Sequence, residues 1–221
     1  IDKLTPLQKL TNLSWLSLQN TWSQKTSTFT DLTPLAGLTK LKYLSLTHTM
    51  VSDLSPLGDL KDLRSLFVHG TKVTDISIVK NFSSMLSNFI LSGSMDTDYT
   101  PLESLSEMLH LSFYGGELDL KTVPVVPTVK DLTLGWMTVY NPATVVKWQS
   151  VKRLIISRVE GIDDYPAFIR FVLREMPDLE KIIVHHSDIE NASEGDKEYL
   201  YGLIDAGILD YYFDVADPNL R

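Results

Sequence analysis

The sequence predicts an α/β fold: a right-handed solenoid of about eight turns, with a parallel sheet on its concave side, turns and short helices behind, and a helical C-terminal cap. Three observations carry this. First, apolar positions recur at a shift of 22: Leu35, Leu38, Leu41, Leu44, Leu46, Val51 and Leu54 return as Leu57, Leu60, Leu63, Leu66, Val68, Val73 and Ile76, and Thr49 and Asp53 return as Thr71 and Asp75. Second, a Leu-x-Leu dyad marks each turn, at Leu16/Leu18, Leu44/Leu46, Leu66/Val68, Phe89/Leu91, Leu111/Phe113, Leu132/Leu134, Leu154/Ile156 and Ile182/Val184, spaced 21 to 28 residues apart. Third, such a unit has one apolar edge, which it can bury only against a copy of itself. The chain of 221 residues, 43% hydrophobic, is long enough to bury a large core and is not disordered.

Each dyad is read as a strand, because a period of two sends both apolar side chains inward and the residues between and beside them outward. The back of each turn is a short turn or helical piece. In the first repeat six extra residues, Trp22 to Ser27, predict a protruding loop. Tyr165 to Met176 opens with Pro166 and carries an apolar face at helical spacing, so a true helix is expected there. A second helix is expected from Glu194 to Ala206, stopped by Gly207, with a degenerate ninth strand at Tyr211/Phe213. Residues 187–221 hold nine carboxylates against Lys197 and Arg221, which divides the chain into a nearly neutral solenoid, 1–186, and an acidic cap, 187–221.

From Leu32 to Val79 the pattern, with Asp53-Leu54-Ser55-Pro56-Leu57 and Val73-Thr74-Asp75-Ile76, resembles the leucine-rich repeat family of the bacterial internalin-like type. The resemblance runs over nearly the whole chain and weakens after Leu118. Members of that family carry a buried Asn that ties neighbouring turns together; here the matching positions are Thr21, Thr49, Thr71, Ser94, Gly116, Met137, Val159 and Ser187. Hydroxyls can replace the Asn in part, but Met137 and Val159 cannot, so the later turns must satisfy their backbone in another way. The resemblance implies a secreted or cell-surface protein of a bacterium that binds other proteins.

The strand register displays three columns on one face. They are Trp15, Tyr43, Ser65, Asn88, His110, Asp131, Arg153, Lys181; then Ser17, Ser45, Phe67, Ile90, Ser112, Thr133, Ile155, Ile183; then Gln19, Thr47, His69, Ser92, Tyr114, Gly135, Ser157, His185. Aromatic rings among small hydroxyl side chains are typical of protein-recognition surfaces. Trp15, Tyr43, Phe67, His69, His110 and Tyr114 are therefore the candidate partner-binding residues.

Other chemistries are argued against. The absence of cysteine excludes disulfides, thiolate zinc sites and thiol catalysis. A net charge of -8 argues against unspecific attraction to nucleic acid or anionic lipid, and no apolar run is long enough to insert in a membrane. No catalytic, metal or cofactor site is assigned. His69 and His185 are five strands apart, and Asp96-Thr97-Asp98 lacks the spacing of a calcium loop. His110 beside Asp131, with Ser112 on the same face, forms a serine-hydrolase inventory without a nucleophile elbow or oxyanion hole, and reads as a cross-strand pair.

The expectation is a non-enzymatic, monomeric protein-binding module acting through the concave face. The alternative is a structural spacer or scaffold segment of a larger surface protein, with the hydrolase third. The register is testable: Leu66→Ala is expected to cost about 2 to 5 kcal/mol through lost burial and a residual cavity, spreading to the turns on both sides. Thermal unfolding of the variant within a degree of the parent would refute the register.

Overall fold

The computed structural model describes residues 3–20, 28–82 and 84–213. Nine strands form one parallel sheet in strict sequence order: β1 (Trp15–Ser17), β2 (Tyr43–Ser45), β3 (Ser65–Phe67), β4 (Asn88–Gly93), β5 (His110–Asp119), β6 (Asp131–Tyr140), β7 (Arg153–Glu160), β8 (Lys181–His185) and β9 (Leu209–Tyr212). Parallel neighbours require a crossover on one side of the sheet, and the right-handed crossover is the one a twisted strand permits. The predicted loop from Trp22 to Ser27 lies outside the described residues.

The repeat is written in the burial. Leu35, Leu38, Leu41, Leu44 and Leu46 are fully buried, as are Leu57, Leu60, Leu63 and Leu66, with Val68 at 1% exposure. At β1, which has a neighbour on one side only, the same wall is open: Leu10 is 48% exposed where its counterpart Leu38 is fully buried. Behind the sheet run short 3-10 segments such as Thr33–Leu35, Ser55–Leu57 and Thr100–Ser104, each with Pro at its start, where the missing N–H costs nothing. An Asp two residues ahead holds each one: Asp31, Asp53, Asp75 and Asp98 accept from the N–H of Thr33, Ser55, Ser77 and Thr100 at 2.8 to 2.9 Å.

Both predicted helices form. α1 (Tyr165–Glu175) is capped by Asp164, whose Oδ1 accepts from Ala167 N at 2.8 Å, and it buries Pro166, Ile169 and Val172. A single turn, α2 (His186–Glu190), leads to α3 (Glu194–Asp205), which buries Leu200, packs Tyr199, Leu203 and Ile204 against the core, and ends at Gly207 with φ of +75°. β9 then returns to the sheet. Its register corrects the expected one: Ile182 pairs with Leu209 and Val184 with Tyr211, so the inward dyad is Leu209/Tyr211 and not Tyr211/Phe213. The shift of two preserves which side chains face inward, and it puts Leu209, rather than Phe213, in the core beside Tyr211.

The missing Asn is replaced differently from turn to turn. In the first, Asn20, one position before the expected site, donates from Nδ2 to the His48 carbonyl at 2.7 Å. In the next two, the Thr49 and Thr71 hydroxyls donate back to the carbonyls of Leu46 and Val68 at 2.7 and 2.5 Å. At Ser94 and Val159 a tyrosine from the following segment does the work, Tyr99 buried and Tyr165 partly buried. Tyr99 Oη accepts from Ser94 N and donates to its carbonyl at 2.9 and 3.1 Å. Tyr165 Oη does the same for Val159 at 3.3 and 3.0 Å. At Gly116 and Met137 the strands run on and the ladder supplies the bonds: β5 to β7 are 8 to 10 residues long and pair as Gly93 with Gly116 and Met137 with Val159. Tyr165→Phe removes one hydroxyl and orphans a backbone donor and acceptor, so it is expected to cost about 1 to 3 kcal/mol in urea unfolding. A Tyr165→Phe variant as stable as the parent would show that water satisfies Val159 instead.

Candidate functional site

The first two outward columns stand as read, and the third is interrupted by a register shift between β4 and β5 after Leu91 and Phe113. Trp15 pairs with Tyr43, Tyr43 with Ser65, Ser65 with Asn88, Asn88 with His110, His110 with Asp131 and Asp131 with Arg153. The second column follows the same register through Phe67, Ile90, Ser112 and Thr133.

Three of the six candidate residues form one continuous ladder of rings. Trp15 and Tyr43 stack with centroids 4.9 Å apart and planes at 11°, and Tyr43 meets Phe67 edge-on at 5.1 Å. Trp15 is 58% exposed, while Tyr43 and Phe67 are half-buried by their neighbours in the row. Such pairs add about 0.5 to 1.5 kcal/mol beyond burial, so the rings hold one another in a fixed, outward-facing shape. Ser17 and Ser65, both half-buried, neighbour them in the register, while Ser45 is fully buried.

His69 and Tyr114 belong to a second group. His69 contacts His48 at 5.3 Å and Tyr114 at 5.4 Å, the latter across the intervening Ser92 of β4, whose short side chain accepts from Gly70 N at 2.8 Å. Tyr114 also covers Gly135, where a Cβ would lie 2.6 Å from the ring. Burial, with His48 beside it, holds the His69 imidazole neutral and lowers its pKa from 6.5 to about 4.

His110 stands apart from both groups. It is exposed and its Nδ1 lies 2.5 Å from Asp131, whose carboxylate also takes Arg153 at 2.6 Å. Ser112 is 9% exposed and makes no hydrogen bond to His110, so the serine, histidine and aspartate of the hydrolase reading do not connect in this geometry. A second hydroxyl–imidazole contact, Ser187 Oγ to His185 Nδ1 at 2.7 Å, belongs to the N-cap of α2, where the same ring nitrogen accepts from Ser187 N. The charge ladder ends as Lys181 with Asp210 at 3.2 Å, although Asp210 pairs with Ile183 in the second column. Among the described residues no three His, Asp or Glu side chains converge as a metal site.

His48, which the sequence places near His69, joins the second ring group from a left-handed position, φ +56°. Two exposed rings lie outside the three columns that the sequence predicts. Trp136 and Tyr140 are 54% and 43% exposed on the extended part of β6, where the sequence pattern predicts a turn. The alternation of Leu118 with Leu120 after the dyad of β5 was the signal that these strands continue.

Residues 39–81 match the family described as leucine rich repeats in two copies. A search of curated proteins found no match. Among solved structures, the chain is similar to an internalin (inlF) of Listeria monocytogenes, 20% identical with a TM-score of 0.60, covering all of this chain and 68% of that one. It is similar to internalin C2 of the same organism, 19% identical with a TM-score of 0.51, over 83% of this chain and 66% of that one. It is also similar to the plant peptide hormone receptor RGFR1, solved in complex with RGF2, 15% identical with a TM-score of 0.51, over 83% of this chain and 29% of the receptor. The fold is a leucine-rich repeat solenoid like that of the internalins.

The low pKa of His69 has a pH signature. The unfolded chain takes up a proton at this residue as pH falls below about 6.5, whereas the folded chain does so only near pH 4. Stability is therefore expected to fall between those values and this residue to contribute no further loss below them. NMR titration of the His69 ring should show a midpoint near 4, and His69→Gln should flatten the decline; a midpoint near 6.5 would refute the burial.

Proposed function

We propose that this chain is a non-enzymatic protein-binding module that uses the outward, concave face of its sheet, with Trp15, Tyr43 and Phe67 as the anchor and His69, Tyr114 and His110 extending the surface toward the later turns. The observation that carries the reading is the ladder itself: Trp15, 58% exposed, lies stacked on Tyr43 at 4.9 Å, and Tyr43 meets Phe67 edge-on at 5.1 Å. A prearranged aromatic platform offers contact area without an ordering cost on binding, the property of interface hot spots. The plant receptor with this fold was solved in complex with RGF2, and the likeness to Listeria internalins supports a bacterial protein, secreted or surface-attached.

The test compares proteins captured by the folded chain with those captured by Trp15→Ala/Tyr43→Ala. The double variant is expected to weaken the partner by about 2 kcal/mol or more, while its melting temperature stays near the parent's. If both forms capture the same proteins with equal affinity, the ring ladder is not the anchor; if the parent captures none, the chain serves as a spacer.

A further inference from the structure

The extended halves of β5, β6 and β7 build a second outward face that the three-residue strands β1 to β3 do not have. Each of the long strands passes through a left-handed residue, Gly115, Trp136 or Arg158, with φ of +72°, +54° and +50°. Pairing then continues: Glu117 with Thr138, Thr138 with Glu160, Leu118 with Val139, and Asp119 with Tyr140. Leu118 and Val139 are buried, so by alternation Glu117, Thr138, Glu160, Asp119 and Tyr140 face out.

Trp136 is the largest side chain in its column, in which His48, Gly70, Gly115 and Arg158 of other turns also adopt positive φ. A bulky side chain there is disfavoured, and the ring recovers little by packing, since it is 54% exposed. What touches it is a cation: the Arg158 guanidinium lies 4.6 Å from the ring centroid. Because the left-handed backbone is common to the column, it is the exposed ring itself, presented beside a cation, that points to use.

The surroundings choose the ligand. Segments 115–122, 136–143 and 158–167 carry Glu117, Asp119, Glu160, Asp163 and Asp164 against only Lys121 and Arg158. Asp119 is engaged by Lys121 N and Asn141 Nδ2, and Glu160 receives the Thr138 hydroxyl at 3.1 Å. Glu117 is exposed and makes no hydrogen bond or ion pair among the described residues. Exposed rings beside carboxylates attract cations by their faces and by charge, and repel nucleic acid and anionic lipid.

We propose that this wing binds a basic peptide segment of a partner protein, with Arg or Lys side chains stacking on Trp136 and Tyr140 and pairing with Glu117 and Glu160. It is a second surface, separate from the ring ladder of Trp15, Tyr43 and Phe67, and it stands or falls independently of that ladder.

The experiment titrates the full chain with a hexa-arginine peptide by calorimetry at low and high salt, with hexa-glutamate as control. The parent is expected to bind hexa-arginine alone, more weakly as salt rises. Trp136→Gly and Glu117→Gln/Glu160→Gln are each expected to weaken binding by about tenfold or more. Trp136→Gly should melt at or above the parent's temperature, because glycine relieves the left-handed backbone. Trp15→Ala/Tyr43→Ala should leave this affinity unchanged, which separates the two surfaces. Should Trp136→Gly fold poorly, the glutamine pair decides. The proposal is overturned if the glutamine pair binds like the parent, or if neutralising the remote, exposed pair Asp59→Asn/Asp62→Asn weakens binding equally, since diffuse attraction to a chain of net charge -8 would then explain it. Binding of maltohexaose with no affinity for hexa-arginine would overturn it as well.

Discussion

The one-sided apolar edge of each turn is the constraint from which the rest follows. Leu35, Leu38, Leu41, Leu44 and Leu46 have nothing to bury against within their own turn; the next turn offers Leu57, Leu60, Leu63, Leu66 and Val68 at the same positions, and both sets are withdrawn from water together. Stacking at a fixed register forces the strands to run parallel and in sequence order, and it leaves every residue between two inward leucines facing outward. The surface is thus a by-product of the core: its columns are aligned because the leucines beneath them are.

Burying leucines also buries backbone, and the backbone must be bonded. The chain meets this demand with whatever each turn can provide: an amide at Asn20, hydroxyls at Thr49 and Thr71, and phenols at Tyr99 and Tyr165. Where no such side chain is present, the strands lengthen and the ladder supplies the bonds, as at Gly116 and Met137. That last solution has a consequence for the surface, because longer strands display more side chains. The wing bearing Trp136, Tyr140 and Glu117 exists because β5 to β7 continue past the position where an Asn would have ended them.

The two outward surfaces differ in character. On the first, rings touch rings, and Trp15, Tyr43 and Phe67 are held in place by mutual contact beside small hydroxyl residues. On the second, a single strained tryptophan stands beside Arg158 in an acidic setting. Between them, His110, Asp131 and Arg153 form a solvent-facing charge row that fixes neighbouring strands in register more than it adds stability, since exposed pairs contribute only about 0 to 1 kcal/mol each.

The sequence by itself determined the solenoid, the order and register of its first eight strands, both longer helices, and the membership of the outward columns, because a period of 22 with a period of two inside it admits one parallel stack. Trp15, Tyr43 and Phe67 were legible as neighbours for that reason. Contacts that depend on side-chain reach were not. That His69 meets Tyr114 across Ser92 while His110 turns to Asp131 is decided by rotamers and by the small residue between them. The register of β9 was settled by whether Leu209 or Phe213 fills the last core position, a matter of packing after α3 has docked. Only the tertiary structure showed that Tyr165 serves Val159 and that β6 carries Trp136 outward, because a backbone hydrogen bond can be satisfied by a ladder, a hydroxyl or a phenol, and the choice among them is made by the neighbouring turn.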